Sequence, residues 1–179
     1  MLTTNGTLRW RDFLKFVWEP WGSVPAWESV RRPVAEAVIV FELPVERGKV
    51  REFALAVAED NPIHYDADEA RRRGLPDIVA PPTFTVTQMW QVPREERERC
   101  LGANLAYERV LHGEQEFFYQ RLPVAGEVLT GRMRIASDVS KRGRRGGSMR
   151  VVTYESVFTD ASGEEVVRAL YTLMELPTS

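Results

Sequence analysis

The chain has one cysteine and two histidines in 179 residues. Cys100 therefore has no internal disulfide partner, and the histidines are too few for a zinc finger or a Cys-rich scaffold. Neither sign of charge dominates. Lys plus Arg number 24 and Asp plus Glu number 26, for a formal net charge of -2. Such a chain has no global pull toward nucleic acid. No apolar run approaches the ~18–20 residues that span a bilayer. The first residues, MLTTNGTLRWRDFLKF, lack the basic stretch and apolar run of a secretory leader. Internal repeats, low-complexity tracts, glycine-rich nucleotide fingerprints and metal-ligand spacings are missing as well. These absences point to a cytoplasmic protein with no metal or redox cofactor, no nucleic-acid partner and no membrane span.

What is present is core material. Hydrophobic residues make up 44% of the chain, enough to offset chain entropy in one ordinary domain. Residues 1–35 hold four of the five tryptophans and read as an aromatic arm on the domain at 36–179. There Thr7 is placed to cap a helix carrying Trp10, Phe13, Leu14, Val17 and Trp18 on one face. Such an arm docks on the body or a second subunit, or closes over a site as a lid.

Residues 37–43, AVIVFEL, are β-branched and aromatic and stop at Pro44, as a strand does. Val50, Phe53, Ala54 and Val57 follow at helical spacing. APPTFTVTQMWQVP then predicts a helix with no polar face, buried on all sides, with Met89 and Trp90 in the core. The charged run Arg94–Arg99 reads as a solvated helix face. From residue 114 the period becomes two, with four strand candidates separated by PVAG, KRGRRGG and ASG. One strand, two helices and an antiparallel meander make an α+β domain, a twisted sheet wrapped around a central buried helix.

The chemistry concentrates at Glu59-Asp60-Asn61-Pro62-Ile63-His64-Tyr65-Asp66. Histidine titrates near neutral pH, and a carboxylate nearby orients its ring. Such a pair holds one water between a base and an acid, as addition or removal of water requires. Asn-Pro favours a turn that brings Glu59 or Asp60 back toward His64. A histidine beside a turn is also commonly structural. The turn Lys141–Gly147 carries Lys141, Arg142, Arg144 and Arg145. It reads either as an anchor for phosphates or an acidic partner, or as a solvated hairpin turn. His112 reads as a structural strand-end residue.

AEDNPIHYD, a charged helix, Gly74 and DIVAPPTF together resemble the MaoC-like dehydratases and (R)-specific enoyl-CoA hydratases. The later VLHGEQEFFYQRLPVAGEVLTG resembles their FAS1-like dehydratase branch. The resemblance covers roughly residues 37–175. It implies a hot-dog fold and the interconversion of 2-enoyl and (R)-3-hydroxyacyl thioesters carried on coenzyme A or acyl carrier protein. It also implies a homodimer, or a heterodimer with a homologous hot-dog subunit. In the hydratase motif Gly-Asp-x-Asn-Pro-x-His, the Gly falls at Ala58, the Asp at Glu59, the x at Asp60 and the His at His64. The resemblance makes Glu59 and His64 the catalytic pair, with Asp60 as a substitute carboxylate and Asn61 as a brace. The hydratases begin their central helix with His-Gly, whose glycine N–H binds the thioester oxygen. Pro81 and Pro82 stand there in this chain, and proline has no N–H. The donors then fall to Thr83 and Phe84 just downstream, at a helix start. The double proline also fits a second expectation, a non-catalytic substrate-binding subunit of a heterodimeric dehydratase.

Overall fold

A computed structural model of the protein describes residues 7–8, 29–34, 36–142 and 148–178. Its elements in chain order are β1 (Thr7–Leu8), β2 (Ser29–Arg31), β3 (Ile39–Pro44), α1 (Arg47–Ala56), α2 (Ala67–Arg72), α3 (Arg94–Leu101), β4 (Val110–Tyr119), β5 (Val128–Arg142), β6 (Ser148–Thr159) and β7 (Glu165–Glu175). Three 3-10 segments, Pro62–His64, Phe84–Trp90 and Tyr107–Arg109, lie between them. The strands form one antiparallel sheet in the order β1-β4-β7-β6-β5-β2, with β3 beside β2 on the same edge of β5. Helices on one face of an antiparallel sheet give the expected α+β architecture. Thr7 departs from its expected role as a helix cap. It pairs with Phe118 in a short strand, and the aromatic residues of the arm lie outside the described residues.

The period-two pattern sets the inner face. Cross-strand register lines up Tyr119, Val167, Phe158, Gly131 and Phe41 in one row. A parallel row two residues on holds Phe117, Ala169, Ser156, Met133 and Ile39. A third holds Gln115, Tyr171, Tyr154 and Ile135. Glycine is required at 131, because a Cβ there would meet the Phe41 ring at 2.3 Å. That ring packs edge-on against Phe158 at 5.9 Å.

The helix of the APPTFTVTQMWQVP stretch differs from expectation. It is a 3-10 helix of seven residues, and Met89 and Trp90 are 56% and 80% exposed rather than core. One cause lies in the sequence: the β-branched run Thr83, Thr85, Val86 and Thr87 disfavours an α-helix. Thr87 also bonds back, its hydroxyl donating to the Phe84 carbonyl at 2.8 Å. A three-residue period then sorts the side chains. Phe84, Thr87 and Trp90 face α1, where Phe84 meets Phe53 edge-on and Thr87 and Trp90 line a cleft. Thr85 and Gln88 are buried.

Candidate active site

The loop that carries the histidine is built by α1. Its C-terminal end is a complete Schellman motif: the Ala58 N–H donates to Leu55 O and the Glu59 N–H donates to Ala54 O. Ala58 sits at φ 55, the left-handed region that favours glycine, which explains a glycine at this position in the hydratase motif. Glu59 is thereby fixed immediately after the helix. Its carboxylate accepts from the Asn61 N–H at 3.0 Å, and the Tyr65 hydroxyl donates to the Glu59 carbonyl. Asn61 caps the 3-10 turn, its side chain accepting from the Ile63 N–H at 3.3 Å, and Arg73 donates to the same oxygen. Asp66 then caps α2, accepting from the N–H groups of Asp68 and Glu69. Those two bonds hold the Asp66 carboxyl below the usual carboxylate range.

His64 is 3% exposed. Its Nδ1 lies 2.7 Å from the carbonyl of Val79. A carbonyl only accepts, so Nδ1 carries the proton and donates. In the neutral ring Nε2 then keeps its lone pair. The Val79 N–H donates in turn to Ile63 O, so the loop and the 78–80 segment are tied at two points. That segment is anchored to the strand connection, with Ala80 N–H donating to Pro123 O and Ala125 N–H to Ile78 O. Sequence reasoning missed Val79 as the partner of His64. It stands in DIVAPPTF, the stretch singled out for other reasons.

Glu59 is half-buried and Asp60 is exposed. Among the described residues no hydrogen bond or ion pair joins Glu59 to His64, and none engages the Asp60 carboxylate. Pro82 leads into the 3-10 helix, and Tyr119 donates its hydroxyl to the Pro82 carbonyl. Burial holds the Tyr119 phenol well above its ordinary pKa, so it stays a donor. Of the two expected oxyanion donors, one is already used. The Phe84 N–H donates to Pro81 O at 2.9 Å, closing the turn. The Thr83 N–H makes no hydrogen bond among the described residues.

Arg144 and Arg145 lie outside the described residues. Lys141 of the same turn stands at the far end of β5, a strand of 15 residues, whereas the connection near His64 joins its start. That strand covers roughly 45 Å at ~3.3 Å per residue. His112 stacks on Tyr171 with ring centroids 5.1 Å apart, at the bulge in β4. A cleft of about 440 Å³ between α1 and the 3-10 helix is lined by Leu43, Phe53, Ala56 and Trp90, with exposed Lys49 and Glu52. None of Glu59, His64 or Thr83 lines it. Among the described residues no group of three His, Cys, Asp or Glu side chains is placed to hold a metal ion. No helix among them is long and apolar enough to cross a membrane.

Residues 36–169 match the sequence profile of the FAS1-like, dehydratase domain region. The chain belongs to that family. It is 41% identical over 133 residues to a UPF0336 protein of Leifsonia xyli subsp. xyli, covering 73% of this chain and 83% of the relative. A MaoC-like dehydratase of known structure superposes with a TM-score of 0.67 at 30% identity. The match covers 79% of this chain and 42% of that one, so the chain spans less than half of that protein's length. The HadBC complex of Mycobacterium tuberculosis, a 3R-hydroxyacyl-ACP dehydratase, superposes at 0.61 with 26% identity over 86% of this chain and 99% of that one. The fold is therefore the hot-dog fold of the MaoC-like dehydratases, as the resemblance implied.

Proposed function

We propose that the chain catalyses reversible hydration of 2-enoyl thioesters to (R)-3-hydroxyacyl thioesters, with His64 and Glu59 as the acid–base pair. The observation that carries this reading is the bond from His64 Nδ1 to Val79 O. It fixes the tautomer and leaves Nε2 to exchange a proton with substrate or water. In hydration, one partner takes a proton from the water that attacks C3, and the other delivers a proton to C2. Dehydration runs the same transfers backwards. The enolate charge that builds on the thioester oxygen needs a preorganised donor. The Thr83 N–H supplies it at the start of the 3-10 helix. Asn61 braces the loop, and the exposed Asp60 stays outside the proton transfers. Coenzyme A or acyl carrier protein carries the acyl group, and neither metal nor redox cofactor takes part.

The second reading is a substrate-binding subunit whose homologous partner supplies the working dyad. Two observations favour it: Pro82 has no N–H, and the Phe84 N–H is spent on Pro81 O. The likeness to the HadBC complex adds weight. A crotonyl-CoA hydration assay on the purified chain, with chiral analysis of the product, tests the first reading. Turnover yielding the R product supports it. Turnover only after mixing with a homologous subunit whose helix begins His-Gly selects the second.

A further inference from the structure

Four buried side-chain polar atoms have no hydrogen-bond partner among the described residues: Thr85 Oγ1, Gln88 Oε1, Arg97 Nε and Tyr154 OH. All four belong to the inner face of the sheet or the helices over it. Arg97 was expected to be solvated and is 9% exposed instead. It forms no ion pair among the described residues. Its guanidinium lies over the Tyr154 ring, 5.3 Å from the centroid, and donates once, from Nη2 to the Tyr107 hydroxyl at 2.9 Å. The Tyr107 hydroxyl in turn donates to the Glu98 carboxylate at 2.6 Å, so that carboxylate is already engaged. A guanidinium has five N–H donors, and taking it out of water without a counter-charge is costly. Burial also keeps the Tyr154 phenol protonated, hence a donor.

These orphans are spaced along one direction. From Thr83 to Trp90 the 3-10 helix advances about 14 Å at ~2.0 Å per residue. It delivers the chain to α3, which carries Arg97. The sheet gives the same span. Tyr119, which holds the Pro82 carbonyl, is opposite Val167, and Tyr171 lies four residues further along β7 beside Tyr154. Four strand residues cover about 13 Å at ~3.3 Å each. Thr83 and the Arg97 guanidinium, whose Nε has no partner, thus stand about 13–14 Å apart, with Gln88 between them in the chain.

We propose that Arg97, with Tyr154, binds the terminal carboxylate of an acid-terminated acyl thioester. The inference rests on the acyl-thioester reading above. Nε and Nη2 form the side-on fork that matches a carboxylate, and the Tyr154 hydroxyl adds a third donor. Admitting the acyl group requires α3 to shift outward. That helix has eight residues and is bounded by Pro93 and by Gly102 at φ 70.

The test is calorimetric titration of the full chain with suberyl-CoA and octanoyl-CoA, which differ only at the distal end. The wild type is expected to bind suberyl-CoA about tenfold or more tightly, as one charge-assisted contact in a buried site implies. Arg97→Met removes that preference and keeps octanoyl-CoA affinity. Arg97→Lys, which retains the charge without the fork and guards against misfolding of the first variant, keeps part of it. Equal affinity of the wild type for the two thioesters overturns this proposal alone and assigns the orphaned atoms to buried water. Binding of neither overturns this proposal together with the coenzyme A form of the acyl-thioester reading.

Discussion

His64 has two jobs at two nitrogens, and one substitution separates them. In His64→Asn the amide Nδ2 takes the place of the ring Nδ1, so the bond to Val79 O is kept and Nε2 is lost. In His64→Ala both are lost. Val79 is 1% exposed, so its carbonyl would be left buried without a donor. That desolvation costs about 1–3 kcal/mol, and the space left by the ring adds to it. His64→Ala is thus expected to lose about 3 kcal/mol, a drop in Tm of roughly 6–12 °C for a chain of this size. His64→Asn is expected to keep its Tm within about 4 °C, since only packing around Nε2 changes. Turnover separates the variants differently. Removing a general acid or base typically costs ~10²–10⁴ in rate, so both variants fall to that level in crotonyl-CoA hydration. Wild-type turnover by His64→Asn refutes the assignment of proton transfer to Nε2. An unchanged Tm in His64→Ala refutes the structural role of the Val79 bond.

Glu59→Gln is expected to cut hydration as far as His64→Asn, whereas Asp60→Asn, altering an exposed side chain, leaves it within about twofold; the reverse order moves the carboxylate role to Asp60. Ala58→Gly relieves a left-handed residue and is expected to raise stability by about 0.5–1 kcal/mol in urea unfolding. Gly131→Ala drives a methyl group into the Phe41 ring and is expected to cost about 1–3 kcal/mol by the same method. Asp160 has its pKa lowered to about 2 by the Ser162 hydroxyl and by Arg121. A depressed carboxylate stabilises the fold above its unfolded value and loses that contribution as pH falls toward 2. Wild type and Asp160→Asn should therefore differ in Tm at pH 6 and converge as the pH drops from about 4 to 2.

The sheet was legible because a half-buried strand writes its inner face into alternate positions. Tyr154, Ser156 and Phe158 on β6 alternate with Thr153, Glu155 and Val157, and the register of the whole meander follows from that alternation. The helix α1 was legible for the corresponding reason, its buried residues Val50 and Ala54 falling at i and i+4. The segment after Pro82 was misread because every α-helical face of FTVTQMW looks apolar. Its period is three, which exposes Trp90 and hides Gln88, and only the β-branched run hints at that. Arg97 was misread because charge outweighed spacing. It shares a face with Leu101 four residues on, and both are buried.

The site was legible at the level of residue type and illegible at the level of the atom. The Asn-Pro turn identified His64. Which ring nitrogen is free depends on Val79, a residue fifteen positions away whose carbonyl leaves no mark on a sequence. The oxyanion donors show the same limit. Two N–H groups follow Pro82 in the sequence and look equivalent. The fold spends the Phe84 group on closing a turn with Pro81 and leaves the Thr83 group unused. A single donor in place of two costs ~10²–10³ in rate for a charge of this kind. The chain therefore either works with the Thr83 N–H alone, supported by the bond from Tyr119 that fixes Pro82, or places its thioester against a partner's helix. Thr83→Pro distinguishes the two. It deletes that last N–H at φ -104, away from proline's ~-65°, so it also strains the turn. Thr83→Ala keeps the N–H and serves as the control for side-chain loss. A self-sufficient enzyme keeps turnover in Thr83→Ala and loses it in Thr83→Pro. In a mixed complex whose partner supplies the donors, Thr83→Pro keeps turnover as long as the subunits still associate, which sedimentation of the mixture reads directly.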